Sequence, residues 1–399
     1  MTSKQLLSEA KSNTDIIDIR RKLHQTPETG FNLTNTISII KSELNRIGIT
    51  PTDCGKSGIC ALINGKKSGK VFLLRADMDA LPIKEETALP FCSQNGNMHA
   101  CGHDMHTAML LGAARLLKSH EQDFCGTVKL MFQPAEELLA GARDMISAGV
   151  LQNPTPDYAL MLHVMTGTPF QTGTLIVSAP GISAPAADYF EIKVLGTSAH
   201  GATPDLGVDS LTAASHILIA LQEICARELS FADKSVITIG QLHSGNAANI
   251  LPAVSTMHGS IRSFDEDTRD FIKKRISEIS HSVAKAFRAK AEVTFQNGAP
   301  TLINDTRLSK SIKEYMTEML GENMVISSTE NPPKATGSED FSYISHKIPS
   351  VMLAISAGTP ENGYQHPPHH PKATFDETAL FTGSAVYAYS AIKHLNHVK

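Results

Sequence analysis

One short stretch of the sequence carries thiol, imidazole and carboxylate side chains at close spacing. The run HACGHDMH, from His99 to His106, holds a cysteine, three histidines and an aspartate. Neutral imidazole and thiolate are preferred ligands of zinc and similar divalent ions. Gly102 allows the backbone to bend, so that Cys101 and His103 can converge on one point. The stretch predicts a metal site, and a redox cysteine among incidental histidines is the alternative.

The residues after this run predict a helix that anchors it. Leu110, Leu111, Ala114 and Leu117 follow helical spacing. We therefore expect the ligands to lie on a loop that leads into a helix N-terminus, with the apolar face of the helix buried.

A first pair of acids follows a predicted strand. The β-rich run 71–76 ends in RADMDALP, which places Asp77 and Asp79 just beyond the strand. Open α/β sheets bind ligands outside the carboxyl ends of their strands. A functional role is therefore one interpretation of these acids, and ordinary solvated loop acids are the other.

Two further predicted strands end in residues suited to the same chemistry. The run GTVKLMF leads into QPAEE, with Glu136 and Glu137, and the run YALMLHV ends in His163. Adjacent acids seldom share one role, because like charges at close range raise a pKa. A metal resolves this conflict if one carboxylate binds it and the other stays available as a base. We expect these strand ends and the Cys/His loop to meet on one edge of one sheet.

A histidine-rich segment lies near the C-terminus. In YQHPPHHPKATFD, the histidines His366, His369 and His370 are flanked by prolines and cannot be helical. Metal ligation and a fortuitous loop both remain open for this segment.

The pattern of predicted elements changes in the middle of the chain. Strands at 188–196, 235–243, 254–262 and 291–296 alternate with helices at 210–228 and 267–286. The order β-α-β-β-α-β is that of a ferredoxin-like unit. We predict an α/β fold with a catalytic domain at 1–185 and 299–399, interrupted by an inserted domain at 186–298. Outside the insert, we predict helices at 15–25, 34–47, 309–320 and 377–394, strands at 58–63 and 350–356, and a loop at 331–342.

Composition narrows the class of protein. The 399 residues are 41% hydrophobic, which is enough for two cores. A net charge of −4 argues against nucleic-acid and membrane-surface partners. No apolar segment is long enough to span a bilayer, and the start lacks a signal-peptide core. The six scattered cysteines fit no disulfide framework, so we expect reduced thiols and a cytoplasmic location.

The assembled motifs resemble the M20 metallopeptidase family. They occur in the order RADMDALP, HACGHD, QPAEE, LHV, SAHGATP, GSEDF and then HHP before FDE. More closely, the chain resembles the N-acyl-amino-acid amidohydrolases, which include hippurate hydrolases and auxin-conjugate hydrolases. The resemblance covers almost the whole chain. It implies a zinc-peptidase-like α/β catalytic domain and an inserted ferredoxin-like domain that serves as a lid and mediates homodimerisation.

The same resemblance implies a dinuclear metal centre, with zinc as the first choice and manganese, cobalt or nickel as alternatives. Cys101 would bridge the two ions, and the H-x-P pattern selects His369 over His370 as the C-terminal ligand. A ligand histidine of other branches stands where Asp77 is found, so Asp77 is not expected to bind metal directly. The implied metal ligands are Cys101, His103, Glu137, His163 and His369.

The resemblance also implies roles in catalysis. Glu136 would be the general base and Asp79 the acid beside it. From the inserted domain, His200 would reach the active site of the partner subunit, Asn249 would contact the substrate and Arg262 would bind a carboxylate. A turn histidine and a surface arginine are the alternatives for His200 and Arg262.

The implied reaction is metal-assisted hydrolysis of N-acyl-L-amino acids to a carboxylate and a free amino acid, as in aminoacylases. A metallo-dipeptidase or carboxypeptidase of the same fold is one alternative. A catalytically inactive metal-binding dimer is the other, and the intact Glu136 and full ligand set weigh against it.

Overall fold

The computed structural model describes residues 2–327 and 337–397, which form two compact units. The first unit consists of the described residues within Met1–Ser183, Ile303–Pro333 and Asp340–Lys399. The second consists of those within Ala184–Leu302 and Lys334–Glu339. A search of the described helices for a stretch long and apolar enough to cross a membrane finds none.

The elements are numbered along the chain. The helices are α1 (Ser3–Ser12), α2 (Asp15–Gln25), α3 (Thr34–Arg46), α4 (His103–Ser119), α5 (Gly141–Ser147), α6 (Ser210–Glu223), α7 (Glu266–Ala286), α8 (Thr306–Leu320), α9 (Ser342–Ser345) and α10 (Ala379–His397). The strands are β1 (Pro51–Cys54), β2 (Gly58–Asn64), β3 (Val71–Asp77), β4 (Thr127–Gln133), β5 (Tyr158–Met165), β6 (Leu175–Val177), β7 (Gly181–Ala184), β8 (Ala186–Leu195), β9 (Ala199–His200), β10 (Ser235–Ser244), β11 (Ile250–Leu251), β12 (Val254–Ser263), β13 (Lys290–Ala299), β14 (Leu302–Asn304), β15 (Val325–Ser327) and β16 (Ser350–Ser356).

The first unit is built on an eight-stranded sheet in the order β1-β2-β4-β3-β5-β16-β6-β15. Strands β4, β3, β5 and β16 run parallel to one another, so their carboxyl ends lie at one edge of the sheet. Every residue of β3 is buried, as expected for a parallel strand covered on both faces. This edge receives the residues that follow β3 and β4.

Helix α4 fixes the Cys/His loop to the sheet. Its residues Leu110, Leu111 and Leu117 are buried in the core of the first unit, where α4 packs against α10. Tyr387 of α10 donates a hydrogen bond to the carbonyl of Arg75 at 2.7 Å and accepts one from the N–H of Leu162 at 2.9 Å. Helix α10 is therefore bonded to both β3 and β5, the strands that flank the predicted site.

The second unit has its own core. Its antiparallel sheet has the order β10-β12-β8-β13, and α6 and α7 pack against each other and against this sheet. Ile217 of α6, Ile272 and Ile276 of α7 and Ile192 of β8 are fully buried together. The second unit therefore has a hydrophobic core formed by its own residues.

The mixed α/β class predicted from the sequence is confirmed, and most predicted elements lie within a few residues of the observed ones. Helix α1 is not predicted by the sequence pattern, because only Leu6 and Ala10 supply its buried apolar face. That helix begins with a capping box between Thr2 and Gln5. The predicted helix 210–228 ends its α-helical part at Glu223 and continues as a π-helical turn. Of the predicted loop 331–342, residues 331–336 lie outside the described residues.

Candidate metal centre

A left-handed glycine separates the first two candidate ligands. Gly102 has φ 84°, and a Cβ atom at this position would lie only 2.4 Å from Cγ2 of Val164. Only glycine fits there, because both the backbone conformation and the space exclude a side chain. The turn places the buried Cys101 just before helix α4 and makes the buried His103 its first residue.

The Cys101 thiol lies between two imidazole rings. Its Sγ atom is 3.5 Å from Nε2 of His163 and 3.3 Å from Nε2 of His369. The same Nε2 atom of His369 lies 3.4 Å from Oε1 of Glu137. His370 instead stacks on His366 with ring centroids 4.2 Å apart, and its Nδ1 atom accepts the backbone N–H of Lys372 at 3.0 Å.

His103 joins the cluster from the first turn of α4. Its Nε2 atom is 3.8 Å from Oε1 of Glu137 and 3.9 Å from Oε2 of Glu136. Its Nδ1 atom is 3.5 Å from Oδ1 of Asp79. Within each of three overlapping groups, the potential ligand atoms all lie within 4.8 Å of one another. The groups are Cys101–His103–His163, Cys101–Glu137–His369 and His103–Glu136–Glu137.

Backbone contacts orient two of the rings. Nδ1 of His163 donates a hydrogen bond to the carbonyl of Val164 at 2.7 Å, which leaves Nε2 as the ring atom that faces Cys101. The backbone N–H of His369 donates to the carbonyl of Ala100 at 2.9 Å, and His369 has the left-handed φ of 68°. The C-terminal loop is therefore bonded directly to the residue that precedes Cys101.

These donor atoms fit a divalent metal ion. Within the described part of the chain, the buried Nε2 of His103 and Oε1 of Glu137 make no hydrogen bond. Two ligands at about 2.0 to 2.3 Å from one ion, in tetrahedral arrangement, are separated by about 3.5 Å. The observed separations around Cys101 are 3.3 and 3.5 Å. One thiolate, imidazole rings and carboxylates form a set that suits zinc and similar ions.

The charges in the cluster support the same conclusion. Burial on its own raises the pKa of the Cys101 thiol, but His163 and His103 outweigh burial and lower that pKa to about 6. The neighbouring Cys101 and Glu137 raise the pKa of His369 to about 10. Without a metal, protons on the imidazole rings neutralise the thiolate and carboxylate. A bound cation would replace these protons.

The family profile described as "Peptidase family M20/M25/M40" matches residues 73–393, which is most of the chain. The chain belongs to this family. An N-acetyl-L-cysteine deacetylase of Bacillus subtilis is 37% identical, over 95% of this chain and 88% of that protein. An IAA-amino acid hydrolase of Arabidopsis thaliana, ILR1-like 2, is 36% identical, over 95% of this chain and 85% of that protein.

A solved structure is similar over almost the whole chain. It is a Bacillus subtilis protein described as a dinuclear metal-binding peptidase of the M20 family. It has a TM-score of 0.78 and 31% identity, with 96% of this chain and 98% of that one covered. The M20 resemblance predicted from the sequence is confirmed, and this M20 chain is a metal-dependent amidohydrolase.

In this M20 chain, Asp79 holds the two adjacent glutamates in place. Its Oδ1 atom accepts the backbone N–H of Glu136 at 3.0 Å, and its Oδ2 atom accepts that of Glu137 at 3.3 Å. Ala135, just before them, has the left-handed φ of 52°. One buried carboxylate thus fixes both glutamates, and burial raises the pKa of Asp79.

Asp77 and His106 contact each other, and Oδ2 of Asp77 also lies 3.7 Å from Nε2 of His103. Nδ1 of His106 donates to Asp77, and Nε2 accepts the backbone N–H of Val164 at 2.8 Å. Both ring nitrogens are used, so His106 has no atom left for a metal although it lies near His103. The sequence pattern alone assigns no role to His106. Its position one helical turn after His103 was the available signal.

The remaining predicted site residues belong to the second unit. The exposed His200 lies on β9, opposite Ile250 of β11, and the carbonyl of Asn249 accepts the N–H of Gly201 at 2.7 Å. His200 and Asn249 are thus close neighbours. Arg262 lies near the end of β12, with its guanidinium 5.6 Å from the ring centroid of Tyr189 and Nη1 3.3 Å from Oγ of Ser338.

Proposed function

We propose that this chain hydrolyses the amide bond of N-acyl-L-amino acids, releasing a carboxylate and a free amino acid. The observation that carries the proposal is the division of roles between two adjacent carboxylates. Oε1 of Glu137 lies 3.4 Å from Nε2 of His369 and 3.8 Å from Nε2 of His103, whereas Oε2 of Glu136 lies 3.9 Å from Nε2 of His103. Asp79 fixes the backbone of both glutamates. A base beside a ligand is what metal-assisted hydrolysis requires.

We propose that two divalent ions bind here, zinc first and manganese, cobalt or nickel as alternatives. The thiolate of Cys101, which faces two histidines, would be shared by both ions. Bound ions would lower the pKa of a water molecule and polarise the scissile carbonyl. The residues proposed to hold them are Cys101, His103, Glu137, His163 and His369.

The protein's own groups would then move the proton and bind the substrate. Glu136 accepts a proton from the attacking water and delivers it to the leaving amine nitrogen. Nδ1 of His200 accepts the N–H of Ala202 at 3.0 Å, which leaves Nε2 to carry a proton that can stabilise an oxyanion. Arg262 binds the free carboxylate of the substrate through parallel charge-assisted hydrogen bonds, and Asn249 contacts the substrate.

We further propose that the second unit is the ferredoxin-like insert predicted at 186–298, and that it acts as a lid and homodimer interface. Its strand order β10-β12-β8-β13, with two packed helices, supports this assignment. Strand β10 lies at a sheet edge, and Val236 on it is 56% exposed. An exposed edge strand with apolar side chains is suited to pairing with another chain.

Mixed dimers test whether His200 acts in the partner's site. Glu136→Gln and His200→Ala chains, each inactive alone, are mixed under conditions where tagged-chain pull-down demonstrates re-association. Partial recovery of activity is expected, because one site then combines an intact Glu136 with the partner's intact histidine. Verified heterodimers without activity would place His200 in its own subunit's site or outside catalysis.

A hydrolysis panel tests the proposed function itself. Acetyl-, benzoyl- and longer acyl-amino acids are compared with dipeptides, each with Zn²⁺, Mn²⁺ or Co²⁺ present. N-acyl-amino acids are expected to be the better substrates by kcat/KM. Faster turnover of dipeptides would favour the dipeptidase or carboxypeptidase alternative, and no turnover by metal-loaded protein would favour an inactive dimer.

We also propose a cytoplasmic location, which the six unpaired cysteines support.

A further inference from the structure

Two free cysteines lie side by side on the outer part of the large sheet. Cys54 ends β1 and Cys60 lies in β2, and the register pairs Cys54 with Gly58 and Thr52 with Cys60. Residues two apart on a strand share a face, so the two thiols are diagonal neighbours on the same face. The thiol of Cys54 donates to the carbonyl of Met145 at 3.6 Å.

The pair lines a cavity that also receives an ammonium group. Cys54 and Cys60 are 9% and 6% exposed, and both line a cavity of about 770 Å³ together with Lys129. The Lys129 ammonium donates to the carbonyls of Gln152 at 2.6 Å and Pro154 at 3.2 Å, which hold it in place. A small polar reagent can therefore reach the thiols beside a fixed positive charge.

The surroundings give the two sulfur atoms different chemistry. The neighbouring Cys60 thiol lowers the pKa of Cys54, and the charge of Lys129 acts in the same direction. The neighbouring Cys54 and burial raise the pKa of Cys60. A thiolate next to a protonated thiol is the arrangement of an attacking and a resolving cysteine. Among the described residues, neither cysteine belongs to a candidate metal-binding group.

We propose that Cys54 and Cys60 form a redox-active pair that a hydroperoxide converts to an intramolecular disulfide. The Cys54 thiolate attacks the peroxide, its O–O bond breaks, and the departing oxygen takes up a proton. Cys60 then attacks the sulfur of the Cys54 sulfenic acid and displaces hydroxide, which leaves as water with the proton of Cys60. With hydrogen peroxide, two thiols are oxidised to one disulfide and the peroxide is reduced to two water molecules.

The sequence makes the product directly readable. Lys56 lies between the two cysteines, so trypsin separates them into peptides 47–56 and 57–66. Metal-loaded protein is treated with limiting hydrogen peroxide, remaining thiols are blocked with N-ethylmaleimide, and the digest is analysed by mass spectrometry without reduction. The expected product is the two peptides joined, with two hydrogen atoms fewer than their sum. The exposed Cys225 is the internal control and is expected to react about tenfold more slowly.

Two variants distinguish the attacking from the resolving sulfur. Each variant is treated with hydrogen peroxide in the presence of dimedone, which traps sulfenic acids. Cys60→Ser is expected to give a dimedone adduct at Cys54, whereas Cys54→Ser is expected to leave Cys60 reduced. Both variants should retain metal content and hydrolytic activity, which shows that they are folded. The proposal is overturned if both thiols survive a peroxide dose that oxidises Cys225, or if the joined peptides appear only after the protein is unfolded.

Discussion

Oδ1 of Asp77 accepts a hydrogen bond from Nδ1 of His106 at 2.5 Å, and both side chains are fully buried. The other ring nitrogen of His106 accepts the backbone N–H of Val164, the neighbour of His163. Asp77 therefore fixes the tautomer of His106, and the ring bonds the end of β3 to β5. Nη1 of Arg75 donates to the second carboxylate oxygen of Asp77 at 2.7 Å.

We predict that Asp77→Asn destabilises the metal-free protein by about 3 kcal/mol, because Arg75 loses a buried charge partner. Urea unfolding of the metal-free protein measures this change. Asp53→Asn is the matched control, because Asp53 is 71% exposed in its ion pair with Lys41 and should change stability by less than about 0.5 kcal/mol. Equal effects of the two substitutions would contradict a structural role of the Asp77 charge.

Glu136 and Glu137 offer a matched pair of amide substitutions. Glu136→Gln should retain both metal ions and lose turnover by about a hundredfold or more, because the general base is removed. Glu137→Gln should lose metal affinity, since a ligand carboxylate is replaced by a neutral amide. Metal content by mass spectrometry and kcat with saturating metal separate the two effects. A parallel fall of metal content and activity in Glu136→Gln would show that the roles are wrongly assigned.

Local patterns in the sequence predicted the strands and helices that carry the candidate site, but not the contacts made at a distance. Cys101 and His103 could be recognised from their spacing, and the buried run of β3 indicated where Asp77 and Asp79 would emerge. Three other features depend on how the strands align. They are the pairing of Asp77 with His106, the hydrogen bond from Glu136 to Asp79 and the burial of Arg75. Neither composition nor periodicity encodes that alignment.

The choice between neighbouring histidines shows the same limit. His369 and His370 are equivalent by residue type, and only a family pattern favoured the first. In the structure, the backbone N–H of His369 donates to the carbonyl of Ala100 and the His369 ring lies beside Cys101, whereas the His370 ring stacks on His366. A backbone contact between residues that are far apart in the chain therefore decides which imidazole joins the cluster.

Arg262 should determine the preference for free acids. We predict that Arg262→Ala lowers kcat/KM for N-acyl-amino acids by the equivalent of about 2 to 4 kcal/mol, with little effect on the corresponding amides. Arg262→Lys should recover little of this loss, because an ammonium cannot form two parallel hydrogen bonds to a carboxylate. The exposed Arg227 of the same unit, replaced by alanine, serves as the control and should leave both rates unchanged. An equal loss on acids and amides would argue for a purely structural role.

His394 should make the protein less stable in mild acid. Its ring packs against Tyr158 with centroids 4.4 Å apart and against Phe72 at 5.5 Å, and burial lowers its pKa to about 4. The unfolded chain binds this proton near pH 6.5, so the stability due to the neutral ring is present above that pH. This stability is lost as pH falls from about 6.5 toward 4.

His394→Phe removes the titrating group and retains an aromatic ring. We predict that its free energy of unfolding falls less steeply between pH 6.5 and 4 than that of the unsubstituted protein. The exposed His281, replaced by Phe, provides the control, and its pH profile should follow that of the unsubstituted protein. Parallel profiles for His394→Phe and the unsubstituted protein would exclude His394 as the source of acid sensitivity.

The order of strands in the large sheet has a consequence for synthesis on the ribosome. Strand β16 lies between β5 and β6 but is made more than a hundred residues after them, and His369 and Tyr387 come later still. When residue 302 has been made, the second unit has all its strands, whereas β5 still has an unpaired edge. The edge of β5 that later pairs with β16 therefore stays unpaired during much of translation. A chaperone that covers this edge would have to bind before any metal site is complete.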